Sequence, residues 1–205
     1  AASLSDMQRK KTNIRQQAHE NRKNLPRRAE LSRVICDKFL ALPEYAAAQT
    51  VMYYVDVRTE VQTRDYLSLA LTHAKKIVVP WCNAAGELEL FWLRSMEDLS
   101  IGMYKILEPK PELRLVEDRQ VDVQELDLIM VPGVAFDTRG ARMGHGKGYY
   151  DKLLEHARPN APLVALAFDC QLFPEIPTQA HDIFMDKIIT ESTIYPGAGR
   201  QGRTL

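Results

Sequence analysis

The spacing of hydrophobic positions changes character along the chain. Residues 3–23 are polar and rich in helix formers, which predicts a first helix beginning at a Ser5 cap. Asn24-Leu25-Pro26 breaks that helix, and Pro26 suits the first turn of the next one. Over residues 27–41, Leu31, Val34, Ile35 and Phe39 recur at helical spacing, so the second helix is amphipathic and the pair predicts an N-terminal helical hairpin. From there the pattern alternates. The runs QTVMYYV (49–55), KIVVP (76–80), LELFWL (88–93), LDLIMVP (126–132) and LVALAF (163–168) predict strands, with a last short one at 188–190. Residues 64–73 and 147–157 predict helices, and residues 98–124, with Pro109 and Pro111, a long loop with short extended pieces. Strands alternating with helices predict an α/β fold, a single domain with a central, mostly parallel sheet and helices on both faces. Ligands of such sheets lie at the carboxyl ends of the strands. The domain is expected over residues 1–195, with the Gly- and Pro-containing segment 196–205 as a flexible tail.

Composition narrows the class. A chain of 205 residues favours one domain and can bury a sizeable core. Its 45% hydrophobic residues exclude a disordered protein. Lys+Arg and Asp+Glu are 27 each, so no basic excess points to nucleic acid or an anionic membrane surface. The longest apolar runs are far too short to span a bilayer. Three scattered cysteines, Cys36, Cys82 and Cys170, exclude a disulfide framework or a CxxC metal site and suit a reducing compartment. The cytoplasm and a monomer are therefore expected; the basic, Ser-containing N-terminus leaves a mitochondrial matrix location open.

The segment VPGVAFDTRGARMGHGKGYYD (131–151) carries the clearest chemistry. A strand runs into a loop with Gly144, Gly146 and Gly148 at alternate positions and then into a helix. Glycines allow positive φ, so backbone N–H groups can turn inward beside a helix N-terminus and hold an anion such as phosphate. Arg142 and Lys147 add positive charge there. The loop is not a Walker A motif, because Ala141 stands at the first glycine and Gly148 replaces the metal-binding hydroxyl. A plain strand-to-helix connection is the alternative. Asp151 offers a carboxylate for Mg²⁺ or simply complements the helix dipole; Asp182 with Asp186 offers more, or is a solvated turn. The N-terminal basic run is a solvated face, a weak nucleic-acid arm, or, through Lys11 and Arg15 four residues apart, a helix face laid over a triphosphate.

FDTRGARMGHGKGYYD (136–151) resembles the FDxxGxRLGxGxGYYD motif of the 5-formyltetrahydrofolate cyclo-ligases. Three further matches follow in family order: Lys11 with Ile14-Arg15, YYVDVRTEV (53–61) with Glu60, and VALAFDCQ (164–171) with Asp182. The resemblance implies an ATP- and Mg²⁺-dependent conversion of 5-formyltetrahydrofolate to 5,10-methenyltetrahydrofolate. It implies Lys11, Arg15 and residues Arg142, Gly144, His145, Gly146, Lys147, Gly148, Tyr149 and Tyr150 as the ATP site, with Lys147, Arg142 and Tyr149 at the reacting atoms. It implies Arg15, Val55, Glu60 and the loop from His145 to Tyr149 as the folate site, and Asp151 and Asp182 as Mg²⁺ ligands. Met143 replaces the usual Leu at little cost. His145 stands where Arg or Gly is usual, and an imidazole titrating near ~6.5 is expected to give activity a pH dependence. The competing class is an RNA- or nucleotide-binding module without catalysis, against which the zero net charge counts.

Overall fold

The computed structural model describes residues 3–102 and 105–200. The chain opens with α1 (Leu4–Asn24), α2 (Arg28–Leu40) and α3 (Pro43–Ala47). There follow β1 (Thr50–Met52), α4 (Arg64–Ala70), β2 (Lys76–Cys82), β3 (Leu88–Leu93), β4 (Leu99–Ile101), β5 (Leu107–Pro109), α5 (Pro111–Arg114) and β6 (Gln120–Val121). The rest comprises β7 (Leu128–Val131), β8 (Ala135–Phe136), β9 (Arg142–Met143), α6 (Tyr149–Glu155), β10 (Leu163–Leu166), β11 (Lys187–Ile189) and β12 (Ile194–Pro196). Eight strands form one sheet in the order β12-β11-β10-β7-β1-β2-β3-β6. The five central strands from β11 to β2 run parallel, while β12, β3 and β6 close the edges antiparallel.

Each central strand is buried on both faces, and its side chains alternate between two cores. Leu128, Met130, Val164, Leu166, Val51 and Tyr53 join Ile35, Phe39 and Leu67 from α2 and α4 on one face. Ile129, Val131, Leu163, Ala165 and Met52 join Leu154 from α6 on the other. Helices therefore cover both faces, as the alternating pattern predicts. Beyond the sheet, α1 buries Ala18 and packs Ile14 against Val134, Ala135, Ala141, Met143 and Ile176. Thus α1 and α2, consecutive in sequence, dock on different surfaces: α2 covers the sheet and α1 covers the loops after β7.

Several boundaries shift for local reasons. Ser3 rather than Ser5 caps α1, accepting from the Asp6 N–H at 3.2 Å. Pro26 lies before the second helix instead of in its first turn, since Arg27 takes the N-cap position with φ 63°. The last predicted helix begins at Tyr149 because Gly148, at φ 72°, is its left-handed cap.

The expected flexible tail is corrected over 196–200. Pro196 ends a strand, Gly197 N–H donates to Asp186 O at 2.8 Å, and Ala198 N–H donates to Arg139 O at 2.6 Å. A Cβ on Gly197 would stand 2.2 Å from Met185 O, so glycine here permits close backbone approach. Arg200 then caps the carbonyls of Ala157, Arg158 and Ala161. Residues 201–205 of that expected tail lie outside the described residues. Among the described residues no helix is long and apolar enough to cross a membrane.

Candidate active site

From β1 the sheet grows towards β2, and from β7 it grows the other way towards β10. The carboxyl ends of β1 and β7 therefore flank a point where the connections reverse, where open α/β sheets form their ligand crevice. After β7 the chain makes the β8–β9 hairpin, then the glycine loop, then α6. After β1 it runs without regular secondary structure through 53–57 to Glu60.

The glycine loop and α1 face each other across a cleft of about 500 Å³. Its wall includes Lys11, Arg15, residues 142–151 and Asp182. Arg15 Nε donates to Gly144 O at 2.9 Å, which ties the helix to the loop. Gly146 (φ 100°) and Gly148 (φ 72°) adopt the left-handed conformation expected of them. Gly144 does not. Its lack of a side chain makes room instead, because a Cβ there would approach Arg142 Nη2 to 3.1 Å. The α6 helix makes no side-chain hydrogen bond at its N-cap, Gly148.

Arg142 is the pivot. Its side chain is 6% exposed; Nε donates to Pro132 O at 2.6 Å, Nη1 lies 3.3 Å from Asp151 Oδ1, and the guanidinium stacks 5.3 Å above the Tyr150 ring. Lys147, by contrast, is exposed and has no ion pair among the described residues. Tyr149 lines the cleft and passes beside Gly86, where a Cβ would lie 3.6 Å from its ring. Asp182 accepts from Gln179 N–H at 2.7 Å. Asp151 and Asp182 share the cleft wall, although no three His, Cys, Asp or Glu residues gather as a metal site among the described residues.

Two predicted site residues lie outside this cleft wall. Val55 is half-buried against the core on the α2 side. Glu60 is 6% exposed and accepts from the Val57 N–H at 2.9 Å. Burial pushes its carboxyl up to about 7, and the Val57 N–H with the fields of Arg22 and Arg142 only partly offsets this. The fields of Arg142 and Glu60 act on each other, although the carboxylate does not line the cleft.

The expected titration of His145 near ~6.5 is corrected. Its ring packs 5.6 Å from that of His19, and loss of water together with the charges of His19, Arg22, Arg142 and Arg58 holds it down at about 4. The imidazole is neutral at physiological pH even though the residue keeps exposed surface.

Spacing could have found more of this site than it did. Gln8, Lys11 and Arg15 line the cleft, and Arg15, His19 and Arg22 continue the same stripe at i, i+4 and i+7. Gln179 and His181 also line it, through a loop brought in only by the fold.

Comparison with known proteins fits this arrangement. The 5-formyltetrahydrofolate cyclo-ligase family matches residues 7–191. A "Probable 5-formyltetrahydrofolate cyclo-ligase" of Schizosaccharomyces pombe is 32% identical over 173 residues, 78% of this chain and 83% of that protein. A mitochondrial 5-formyltetrahydrofolate cyclo-ligase of Arabidopsis thaliana is 30% identical over 190 residues, 82% of this chain and 69% of that protein. The solved structure of Aquifex aeolicus 5,10-methenyltetrahydrofolate synthetase superposes with a TM-score of 0.78 at 32% identity, covering 91% of this chain and 92% of that one. With a family match across nearly the whole sequence and a shared fold, the chain belongs to the 5-formyltetrahydrofolate cyclo-ligase family.

Proposed function

We propose that the chain converts 5-formyltetrahydrofolate and ATP to 5,10-methenyltetrahydrofolate, ADP and phosphate, with Mg²⁺. The observation that carries this reading is that Lys11, Arg15, Arg142, Lys147 and the glycine loop line one cleft. That donor set suits a polyphosphate.

The chemistry explains why both parts are needed. A formamide carbonyl is a poor electrophile and its oxygen a poor leaving group. Transfer of the γ-phosphoryl group to the formyl oxygen breaks the terminal P–O bond of ATP and gives an iminium phosphate. N10 then attacks the activated carbon, the C–O bond breaks, phosphate leaves, and N10 loses its proton as the ring closes. Little covalent work falls to the protein, so its task is alignment and charge neutralisation.

In this reading Lys11, Arg15 and Lys147 bind the phosphates, and the backbone N–H groups of residues 144–148 orient them. Arg142, held between Pro132 O and Tyr150, keeps a fixed cation in the cleft wall. Tyr149 closes the cleft wall at the reacting atoms. Glu60 accepts from pterin N–H groups and Val55 packs the ring edge. Asp151 and Asp182 would hold Mg²⁺ as two single carboxylates beside nucleotide phosphates and waters, a donor set this ion prefers. The ion would supply neutralisation of phosphate charge.

The decisive experiment follows the near-ultraviolet absorbance of methenyltetrahydrofolate during incubation with 5-formyltetrahydrofolate and Mg²⁺, with and without ATP. Absorbance that grows only with ATP is the expected result; none with ATP present overturns the proposal.

A further inference from the structure

Ring closure leaves one task without a residue. When N10 attacks the activated carbon its proton must pass to a base, and the cations of the cleft are donors. Arg15 and Arg142 stay protonated at any working pH, and Lys11 and Lys147 are ammonium groups. Asp151 lies 3.3 Å from Arg142 Nη1, and the proposed function gives both it and Asp182 to Mg²⁺. Glu155 is the last residue of α6, about 9 Å along the helix from the loop.

His145 differs from all of these. It lines the cleft from the middle of the glycine loop and keeps exposed surface. The other imidazole of the wall, His181, faces Asp182 Oδ1 at 3.7 Å instead. Guanidinium groups stand against both glycines that flank His145. A Cβ on Gly144 would come within 3.1 Å of Arg142 Nη2, and one on Gly146 within 3.6 Å of Arg15 Cζ. From α1 the His19 ring packs 5.6 Å away, with its Nδ1 3.4 Å from Arg22 Nη2. Arg58, after β1, adds its field from a third direction. Among the described residues no carboxylate pairs with His145. Cations on every side disfavour an imidazolium, and a neutral imidazole always offers one unprotonated nitrogen.

Proximity decides what that nitrogen can reach. In the proposed function residues 144–148 orient the phosphates, and the γ-phosphoryl group passes to the formyl oxygen. The activated carbon is one bond from that oxygen, and N10 must come within about 3–3.5 Å of the carbon before it attacks. N10 therefore stands within side-chain reach of the loop.

We propose that His145 is the general base of ring closure. The imidazole takes the N10 proton as the N10–C bond forms, and phosphate departs with the electron pair of the broken C–O bond. The imidazolium so formed, repelled by Arg15 and Arg142, passes its proton to water at its exposed edge. Basicity held down to about 4 suffices, because N10 carries an aromatic ring, and such a nitrogen, once positively charged, releases its proton more readily than an imidazolium does. This rests on the folate reading above and adds to it the proton acceptor.

The test compares wild type, His145→Gln and His145→Ala for kcat, both KM values, and the amounts of ADP and methenyltetrahydrofolate formed. Glutamine keeps an N–H that can bond a phosphate oxygen but takes up no proton. Both variants are expected to lose about 10²-fold in kcat, with the KM values of 5-formyltetrahydrofolate and ATP changed by less than about twofold. Phosphoryl transfer needs no such base. In the variants water then competes for the activated carbon and returns 5-formyltetrahydrofolate and phosphate, so ADP is expected to exceed methenyltetrahydrofolate, whereas wild type forms the two in equal amounts. Added imidazole is expected to restore part of the kcat of His145→Ala, and His145→Gln carries the reading if the alanine variant does not fold. Wild-type kcat with equal product amounts in His145→Gln would overturn the proposal and leave the departing phosphate as the proton acceptor. A rise confined to the ATP KM would overturn it too, marking a phosphate contact, as would a folded alanine variant that imidazole does not rescue. Failure of wild type to turn over 5-formyltetrahydrofolate at all sinks the folate reading itself; wild-type turnover that His145→Gln matches sinks only the role of His145.

Discussion

Two neighbouring regions of this molecule handle charge in opposite ways. In the cleft between α1 and the glycine loop, Lys147 is exposed and Asp151 keeps 64% of its side chain in water. Outside the cleft wall, Glu60 and Arg22 are almost wholly buried. Solvated charges cost little and can follow a flexible polyphosphate; buried charges cost much and recognise only a ligand whose atoms complete them. In the proposed function the first region binds the phosphates and the second holds the ring. Arg142, which is buried yet touches Asp151, joins the two.

The largest expected effect breaks the open region. Lys147→Ala removes a charge that the proposed function places at phosphoryl oxygens and is expected to lower kcat/KM by about 10²–10³; near-normal turnover would detach the loop from the chemistry. Next, Glu60→Ala is expected to raise the folate KM by about tenfold or more, the worth of a charged hydrogen bond, while the ATP KM stays put. A shift in the ATP KM alone would merge the two regions into one. Third, Asp151→Asn and Asp182→Asn are each expected to raise the Mg²⁺ concentration for half-maximal activity several-fold, with the folate KM unchanged.

The smallest effect is a pH dependence of stability, and it has opposite signs in two residues. Glu60 is raised in the folded state from 4.5 to about 7, so the native protein binds more protons than the unfolded chain between these values. Its contribution to stability therefore falls as pH rises through that window. His145 is lowered from 6.5 to about 4, so the unfolded chain binds more protons there, and stability rises with pH between about 4 and 6.5. The two slopes oppose each other in wild type. Glu60→Gln is expected to leave a melting temperature that climbs from pH 4 to 6.5, and His145→Gln one that declines from pH 4.5 to 7. Identical pH profiles for both variants would show that neither group is perturbed as described.

How much was legible depends on how local the cause is. The glycine loop, Lys11 and Arg15 can be read from spacing, because a loop between strand and helix and a four-residue step on a helix are local geometry. The same helical step from Arg15 reaches His19 and Arg22, but nothing in a polar helix says which of its cations will be buried. That follows from α1 lying over the loops after β7 rather than against α2. The segment after Pro196 reads as a tail by composition, yet Gly197 serves a close approach to Met185 that only the folded chain makes.

By itself the sequence determined the alternation of strands and helices, the burial of the central strands on both faces and the position of the glycine loop between strand and helix, since each depends on side-chain period or on neighbours a few residues away. Only the tertiary structure decided that Glu60 and Arg22 lose their water, that His145 stays neutral and that Gly140 meets Gly197. Desolvation and the field of distant charges are properties of the packed interior, and a charge's surroundings are set by chain segments a hundred residues away.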